Sequence, residues 1–238
     1  MKRSLSVVIP AYNESRKIKE TLEDVVATLT RRQALFEVIV VNDGSLDETA
    51  DKVEDLRARF PQIRLLNNTK NSGKGEAIRQ GIREARCELC LFMDADNSTK
   101  ISEWDKFEPL FEKGSLAVIA SRRLPASRIE RSQPFARRFF GRGYRALCRV
   151  LFGLALSDFN CGFKAFDTSL AKKIYSQTVM SDWTFDVDAL CRIKREGIPI
   201  AEVPVTWVHE DKSTHAAVLK TVFKSLVSLL KLKLQLAK

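Results

Sequence analysis

The sequence predicts an α/β fold in which a mostly parallel central sheet is flanked by helices and followed by a C-terminal amphipathic helix. Three observations support this prediction. Short aliphatic runs alternate with longer amphipathic segments through the first half of the chain, as in βα units. Polar clusters follow the first, second and fourth of these runs. No internal repeat or linker divides the chain, so one domain is expected over 1–214, with a basic amphipathic helix at 215–238.

Each element is placed by its own apolar pattern. Strands are predicted at the short aliphatic runs 5–9, 36–41, 63–66 and 89–93. Helices are predicted between them, where apolar residues recur at helical spacing, at 15–31, 46–59 and 75–85. A helix at 103–112 and a strand at 116–120 continue the pattern. After an arginine-rich stretch at 121–149, the remaining predictions are helices at 135–152, 185–195 and 215–236 and strands at 162–166 and 200–205.

The composition indicates an intracellular protein with an anionic partner. The chain has 238 residues, and its 40 lysines and arginines against 30 acidic residues give a net charge of +10. This excess predicts binding to nucleic acid, to an acidic membrane or to phosphorylated substrates. Five cysteines, an odd number, fit a reducing compartment better than a disulfide framework. No apolar run reaches the ~18 residues of a membrane span and no signal-peptide pattern is found, so a cytoplasmic protein is expected.

Polar side chains follow three strands of the predicted sheet. The clusters are Pro10-Ala11-Tyr12-Asn13-Glu14 after the first strand, Asn42-Asp43-Gly44-Ser45 after the second and Asp94-Ala95-Asp96 after the fourth. In open sheets of this type, ligands bind beyond the carboxyl ends of the strands. The sequence therefore predicts one binding site at this edge of the sheet.

Asp94 and Asp96 are candidate metal ligands. Two carboxylates this close in the chain repel each other unless a cation neutralises them. Mg²⁺ and Mn²⁺ prefer oxygen ligands and are commonly held by one or two carboxylates together with the phosphates of a substrate. The alternative is that both acids only cap the helix that follows.

The other polar residues at this edge suggest a phosphorylated ligand. Asp43, followed by a tight turn, is suited to hold a base or a ribose, and Asn13 and Glu14 can act similarly. The alternative for the Asp43 cluster is capping of the next helix, which is compatible with binding. Lys74 lies in a glycine-containing loop that lacks the full P-loop spacing, and it either meets a phosphate or is a solvated loop lysine.

Taken together, these motifs resemble those of the family 2 glycosyltransferases of GT-A fold, over most of the chain, from Leu5 to about Val205. Within that family the chain is similar to the polyprenyl-phosphate sugar synthases, which include the dolichyl-phosphate glucosyltransferases and mannosyltransferases. The strings that carry this closer similarity are Asp94-Ala95-Asp96-Asn97-Ser98-Thr99-Lys100, Cys161-Gly162-Phe163-Lys164 and Trp183-Thr184-Phe185-Asp186-Val187-Asp188.

The resemblance implies a role for each candidate residue. Asn13, Glu14 and Asp43 would hold the nucleotide of a nucleotide sugar, with Pro10, Tyr12, Lys74 and Ala95 as further substrate contacts. Asp94 and Asp96 would hold Mg²⁺ or Mn²⁺ on its diphosphate, with Asp96 also counted among the catalytic residues. Arg122 and Arg137 would gather the phosphates of donor and acceptor, a role suited to the planar guanidinium. Asp186 would be a base or an orienting acid, or alternatively a buried helix cap.

The activity that the resemblance implies is transfer of a hexose, first of all glucose from UDP-glucose, to a polyprenyl phosphate with inversion. GDP-mannose as donor and a saccharide hydroxyl as acceptor are the alternatives within the same class. Two further alternatives are a nucleotidyltransferase, which also uses carboxylates and a metal, and a nucleic-acid-binding protein. No recognisable nucleic-acid-binding module supports the last of these, so no nucleic acid partner is expected.

Two amphipathic helices suggest contact with an anionic membrane surface. The first carries Arg138, Arg142, Arg145 and Arg149 beside Phe140, Tyr144, Leu147, Leu151 and Leu154; the second carries Lys220, Lys224, Lys231 and Lys238 beside Val222, Phe223, Leu226, Leu229 and Leu230. We therefore expect a peripheral protein at the cytoplasmic face of a membrane. The alternative is that both apolar stripes pack on the core. A segment after Trp207 with His209, Lys212 and Ser213 matches relatives only loosely, and the oligomeric state is not predicted.

Overall fold

The computed structural model describes residues 3–32, 34–130, 135–208 and 215–236. The strands are β1 (Leu5–Ala11), β2 (Phe36–Asn42), β3 (Ile63–Asn67), β4 (Leu89–Met93), β5 (Ala117–Ser121), β6 (Arg128–Ile129), β7 (Phe163–Asp167), β8 (Ile200–Pro204) and β9 (Thr206–Trp207). The helices are α1 (Ile18–Arg31), α2 (Thr49–Arg59), α3 (Lys74–Glu84), a 3₁₀ helix (Ile101–Lys106), α4 (Glu108–Glu112), α5 (Phe135–Phe152), α6 (Thr168–Gln177), α7 (Phe185–Arg195) and α8 (His215–Leu236).

A seven-stranded sheet forms the centre of the fold, in the order β3-β2-β1-β4-β7-β5-β8. Its strand pairs are parallel except those of β7, which runs antiparallel to β4 and β5. The predicted mostly parallel sheet is thus confirmed. Because β7 is antiparallel and Met93 pairs with Phe163, the residues just before β7 lie beside those just after β4. Strands β6 and β9 form a separate two-stranded ribbon.

The hydrophobic core has two layers, one on each face of the central sheet. Along β1, Val7 and Ile9 face one layer, which is covered by α1, α2, the 3₁₀ helix and α4, whereas Val8 faces the layer of α3, α6 and α7. This alternation is the two-residue period of a strand. Continuous aliphatic runs are the expected signature of such doubly covered parallel strands.

Part of the two apolar stripes that suggested membrane contact packs inside the protein. Residues of α5, α7 and α8 form a third apolar cluster, in which Leu154 and Leu229 are buried and Tyr144, Leu147 and Leu151 pack against them. For these residues the alternative interpretation is confirmed. On α8, however, Leu226 and Leu230 remain exposed. Within the described ranges, no helix is long and apolar enough to cross a membrane.

Three local differences from the prediction have physical causes. The helix expected at 103–112 is divided into the 3₁₀ helix and α4, because Pro109 lacks an N–H and is tolerated only in a first helical turn. Helix α6 was not predicted, although Asp167 caps it by accepting hydrogen bonds from the backbone N–H groups of Ser169 and Leu170. The ribbon of β6 and β9 has two residues per strand, too few for a periodic signal.

Candidate active site

The candidate site lies at the carboxyl edge of the sheet between β1 and β4, in the position of a ligand-binding crevice. Chain order reverses its direction across the sheet at this pair of strands, which is where open α/β sheets bind ligands. The β1–β4 pairing ends at Val8 and Phe92, whereas β1 continues along β2 as far as Ala11 and Asn42. Pro10, which has no N–H to donate, lies in this diverging part of β1. The predicted convergence of the three polar clusters on one edge is confirmed.

Asp94 directly follows β4, and a glycine makes room for its carboxylate. The Asp94 N–H donates to the carbonyl of Gly162, with 3.1 Å between N and O. A Cβ placed on Gly162 would collide with all three atoms of the Asp94 carboxylate. The antiparallel β7 therefore brings a residue without a side chain beneath the first candidate metal ligand.

Asp96 lies in a tight turn that is held from both sides. Its Oδ1 accepts a hydrogen bond from Ser98 N at 3.0 Å, and Asn97 has a φ of 57°. The buried Ala95 between the two acids accepts a bond at its carbonyl from Thr21 Oγ1, 2.7 Å away. The backbone of Ala95 thus anchors this turn. Because Ser98 binds Oδ1 of Asp96, Oδ2 is the oxygen that could bind a ligand.

Lys74, the first residue of α3, reaches across the crevice. Its ammonium group forms an ion pair with Asp94 Oδ1 and lies 5.2 Å from the ring centre of Trp183. Burial opposes its charge, but the carboxylates of Asp94, Asp186 and Asp96 outweigh that effect and raise the pKa of Lys74 above its ordinary value. The predicted phosphate contact of Lys74 stays a prediction, while its place inside the acidic cluster is established.

Asp94 and Asp96 fit a divalent cation whose remaining ligands would be water and the phosphates of a substrate. A cation already lies on Asp94, since the Lys74 ammonium group is paired with it. No group of three or more His, Cys, Asp or Glu residues suited to a metal is found within the part of the chain that the structure describes. Mg²⁺ and Mn²⁺ do not need such a cage, because water and substrate phosphates complete their oxygen shell.

Asp43 holds the loop that positions Lys74. The residue is buried, and its two carboxylate oxygens accept hydrogen bonds from Ser72 N at 2.9 Å and from Gly73 N at 2.8 Å. Gly44, with a φ of 70°, lies so close to the backbone of Lys70 that no side chain would fit there. The nucleotide contact of Asp43 stays a prediction, whereas these hydrogen bonds show that Asp43 shapes the loop before α3.

The cluster after β1 is tied to the cluster after β2. Asn13, at a φ of 54°, accepts a hydrogen bond at Oδ1 from Leu46 N at 2.8 Å. Its own N–H donates to Ser45 Oγ, 2.9 Å away. The N–H of Glu14 donates to Thr49 Oγ1 at 2.9 Å. These bonds join the two loops into one wall of the crevice, above which Tyr12 is exposed.

Arg122 follows β5 and is fixed by a buried acid that sequence reasoning missed. Asp158 accepts from Arg122 Nε at 2.7 Å and from Nη2 at 2.9 Å, and the Arg122 backbone N–H adds a third bond at 3.1 Å. Although burial works against its charge, Arg122 lowers the pKa of the Asp158 carboxyl to about 2. The guanidinium also lies 5.2 Å from the ring centre of Trp207. Nη1 takes no part in this pair and is the nitrogen that could meet a phosphate.

Asp186 is enclosed rather than open to the crevice. Its side chain is 3% exposed and accepts from Lys164 Nζ at 2.6 Å, and the Lys164 side chain is only 1% exposed. Lys164 also donates to the carbonyl of Cys161 at 2.7 Å. Burial raises the pKa of Asp186, and Lys164 and Lys74 oppose that rise. Asp186 lies in the first turn of α7, but Thr184 is the N-cap residue. Its enclosure favours the orienting role over that of a base.

Several functional candidates lie beyond what the structure describes or were missed. The side chain of Arg137, and all of His209, Lys212 and Ser213, lie outside the described residues. Asp158 could have been found from sequence, because it is the first acid after the long arginine-rich stretch that follows Glu130. Lys164 could also have been noticed, because a lysine inside a strand as apolar as β7 needs a charged partner in the interior.

Comparison with known proteins identifies close relatives in sequence. The chain is 37% identical over 211 residues to a dolichyl-phosphate beta-glucosyltransferase of Trichomonas vaginalis, covering 84% of this chain and 62% of that protein. It is 32% identical over 225 residues to the human dolichyl-phosphate beta-glucosyltransferase, covering 89% of this chain and 69% of that protein. The chain thus spans about two thirds of the length of these curated relatives.

Solved structures share the fold at lower identity. Glucosyl-3-phosphoglycerate synthase from Mycobacterium tuberculosis in complex with UDP matches with a TM-score of 0.73 and 20% identity, over 97% of this chain and 80% of that one. Mannosyl-3-phosphoglycerate synthase from Rubrobacter xylanophilus matches with a TM-score of 0.74 and 18% identity, over 99% and 75%. These matches confirm the GT-A fold that the motif resemblance implied.

The family assignment comes from the sequence itself. The model of the family described as "Glycosyl transferase family 2" matches residues 6–175. This range includes β1 to β5, the Asp94–Asp96 turn and the Arg122–Asp158 pair. Residues 6–175 are more than half of the chain. The protein therefore belongs to glycosyl transferase family 2.

Proposed function

We propose that this protein transfers glucose from UDP-glucose to a polyprenyl phosphate, with inversion and with the help of Mg²⁺ or Mn²⁺. Support for the acceptor and the sugar comes from the curated relatives, which are dolichyl-phosphate beta-glucosyltransferases. Support for the donor and the metal comes from the fold relative from Mycobacterium tuberculosis, which was crystallised with UDP and with Mn²⁺. The observation that carries the proposal is the buried Arg122–Asp158 pair beside the Asp94–Asp96 turn.

The donor would occupy the crevice between β1 and β4. Asn13, Glu14 and Asp43 would hold the nucleoside. Asp94 and Asp96 would hold the divalent cation, which when bound offsets the negative charge of the leaving diphosphate. Lys74, next to both acids, would add a further positive charge there.

The acceptor phosphate would be oriented by arginine. Arg122 follows β5 at the same edge of the sheet as Asp94, and Arg137 is the second arginine proposed for this role. An acceptor oxygen forms a bond to the anomeric carbon while the bond from that carbon to the diphosphate oxygen breaks, with its electron pair leaving on UDP. A single displacement of this kind inverts the anomeric centre.

No protein base is required for this reaction. The second pKa of a phosphate monoester is about 6, so the acceptor already carries a nucleophilic oxygen at neutral pH. Asp186 is enclosed and paired with Lys164, as expected for a residue that does not act as a base. A transferase that uses a sugar hydroxyl would need an open base in the same region.

A polyprenyl acceptor is presented at a bilayer surface, and we propose that the protein binds there peripherally, on the cytoplasmic side. The net charge of +10 favours an anionic surface. The acceptor phosphate and the headgroups of the bilayer are both anionic, so the positive charge of the protein would attract both.

Product analysis tests the proposed function. The purified protein is incubated with Mg²⁺ or Mn²⁺, with UDP-glucose or GDP-mannose, and with a polyprenyl phosphate, a saccharide or no acceptor, and products are identified by mass spectrometry. The expected product is a polyprenyl phosphate that carries one hexose, formed from UDP-glucose together with UDP. Absence of any glycolipid would overturn the proposal, and release of pyrophosphate would identify a nucleotidyltransferase instead.

A further inference from the structure

Helix α8 has two apolar faces on roughly opposite sides. The inner face consists of Leu229, Leu232 and Leu236, which are buried against α5 and α7. The outer face consists of Leu226, Val227, Leu230 and Leu234, which are 37%, 38%, 57% and 69% exposed. Residues of an α-helix are rotated by about 100° from one to the next, so these four side chains form one continuous stripe.

Lysines border this outer apolar stripe, and no acid interrupts it. Lys231 and Lys233 are exposed and flank the stripe on its two sides. Lys233 also donates to the carbonyl of Leu151 at the end of α5, which fixes how α8 lies on α5. From His215 to Leu236 the sequence contains four lysines and neither aspartate nor glutamate.

The same helix is tied to the loop that forms one side of the crevice. Ser228 Oγ donates to Asp182 Oδ2 at 2.6 Å. The neighbouring Trp183 places its ring 5.2 Å from Lys74 Nζ, and its carbonyl accepts from Asn160 Nδ2 at 3.1 Å. The outer stripe therefore lies on a helix that contacts the loop of Asp182 and Trp183, and this loop contacts Lys74 in the acidic cluster of the site.

We propose that the outer stripe of α8 (Leu226, Val227, Leu230 and Leu234) docks on an anionic phospholipid surface and thereby holds the crevice against the bilayer. This proposal rests on the proposed lipid acceptor and adds the surface through which the protein reaches it. A helix with an apolar stripe and lysine borders lies in the plane of a bilayer interface, with its apolar side chains among the acyl chains and its ammonium groups at the headgroups.

Charge favours lipid over a second copy of this chain as the occupant of the stripe. Two copies joined through α8 would bring two lysine-bordered helices together with no acid on either, and each chain carries +10. Anionic headgroups would instead neutralise these lysines.

Vesicle binding without the acceptor tests this inference. Wild type and the double variant Leu230→Glu/Leu234→Glu are sedimented with vesicles of phosphatidylcholine and phosphatidylglycerol, and with vesicles of phosphatidylcholine alone. The matched control is Leu35→Glu, because Leu35 is 75% exposed and directly precedes β2, at the amino ends of the parallel strands and away from the candidate site. We expect at least a tenfold weaker partition of the double variant onto the anionic vesicles, and no loss for the control. Circular dichroism melting of all three proteins shows that each is folded.

The outcomes separate this inference from the proposed function. Equal partition of wild type and the double variant, or no partition of wild type, would overturn the docking surface whatever the enzyme activity. A wild-type dimer in size-exclusion chromatography with light scattering that the double variant abolishes would also overturn it, since a second copy would then cover the stripe. If the inference is right, the double variant keeps glucosyl transfer to a polyprenyl phosphate dissolved in detergent and loses it on vesicles. Failure of wild type in detergent would count against the proposed function alone.

Discussion

At the scale of single residues, the site is an arrangement of charges that neutralise one another until a substrate arrives. Lys74 pairs with Asp94, Arg122 with Asp158 and Lys164 with Asp186. Only the last two pairs are enclosed. The Lys74–Asp94 pair is partly exposed, so separating it should cost little free energy, and the proposed metal and phosphate could then take its place.

The first prediction concerns the exchange of Lys74. In Lys74→Met, a cation no longer has to displace the ammonium group from Asp94, so Mn²⁺ alone should bind about two- to fivefold more tightly, since such a pair is worth up to ~1 kcal/mol. UDP should bind more weakly because a positive charge near the diphosphate is lost. Electron paramagnetic resonance of free Mn²⁺ and calorimetry with UDP measure the two effects. Lys113→Met, at an exposed lysine after α4, is the control, and weaker Mn²⁺ binding by Lys74→Met would contradict the account.

The second prediction concerns the buried acid that holds Arg122. Asp158→Asn leaves a guanidinium without its charge partner in the interior, which costs about 3–5 kcal/mol in the free energy of unfolding. Urea unfolding at pH 7 measures this loss. Glu54→Gln is the control, because Glu54 pairs with Arg57 on the surface and should change stability by less than ~1 kcal/mol.

The pH dependence of that difference has a definite sign. The folded pKa of Asp158, about 2, lies below the ordinary value of 3.8, so the pair stabilises the fold above that ordinary value. Its contribution decreases as the pH falls from about 4 toward 2. The gap in unfolding free energy between wild type and Asp158→Asn should therefore narrow over this interval, and a gap that widens on acidification would refute the assignment.

The third prediction separates a base from an orienting acid at Asp186. If the acceptor phosphate supplies the nucleophile, the acidic limb of the rate profile follows the acceptor and not a protein carboxyl. Asp186→Asn should lower kcat while leaving the shape of the pH profile unchanged. Steady-state rates of UDP release between pH 5 and 8 measure this. Loss of the acidic limb in the variant would identify Asp186 as the base.

At the scale of elements, the sequence predicted those parts of the fold that show in local periodicity. The strand 89–93, the helices 135–152 and 185–195 and the final helix 215–236 agree with the structure in their bounds. The direction of β7 could not be predicted, because one short apolar run does not tell which way it pairs. That direction decides the site, since it brings Gly162 beneath Asp94.

For the candidate site, too, the sequence predicted the local features and not the long-range contacts. The acids at strand ends were visible because the carboxyl edge of a parallel sheet collects ligand-binding residues. The pairing of Arg122 with Asp158 and that of Lys164 with Asp186 were not predicted, since a buried ion pair joins residues that are far apart in sequence. The stripes of α5 and α8 show a related limit: helical spacing reveals an apolar face, but it does not tell whether protein or lipid covers that face.

The fourth prediction follows from the antiparallel placement of β7. Gly162→Ala puts a methyl group where the Asp94 carboxylate lies, so the carboxylate must move. Metal binding should weaken by at least tenfold, with a corresponding loss of activity, because a metal ligand tolerates little displacement. Gly143→Ala is the control, since a Cβ at Gly143 meets no atom within 4 Å. Unchanged Mn²⁺ affinity in Gly162→Ala would show that Asp94 does not hold the metal.

At the scale of the whole molecule, the proposed lipid-binding face, the loop of Trp183 and the sheet edge would form one path from a bilayer to the candidate site. The outer face of α8 would meet lipid, Ser228 ties α8 to the loop of Trp183, and Lys74 and Asp94 lie next to that loop. The excess of positive charge fits both an anionic surface and two phosphorylated substrates. Family membership supports the proposed donor, and the positions of Lys74 and Arg122 support the proposed phosphorylated substrates.

The most direct test of the central claim is phosphorus NMR of the complete reaction. Protein, Mg²⁺, UDP-glucose and a polyprenyl phosphate in detergent are mixed, and the phosphorus signals are followed with time. The account predicts that the phosphomonoester signal of the lipid is converted to a phosphodiester signal while UDP appears in equal amount, and that Asp94→Asn or removal of Mg²⁺ stops both changes. A lipid signal that stays a monoester while UDP accumulates, or the release of pyrophosphate, would contradict it.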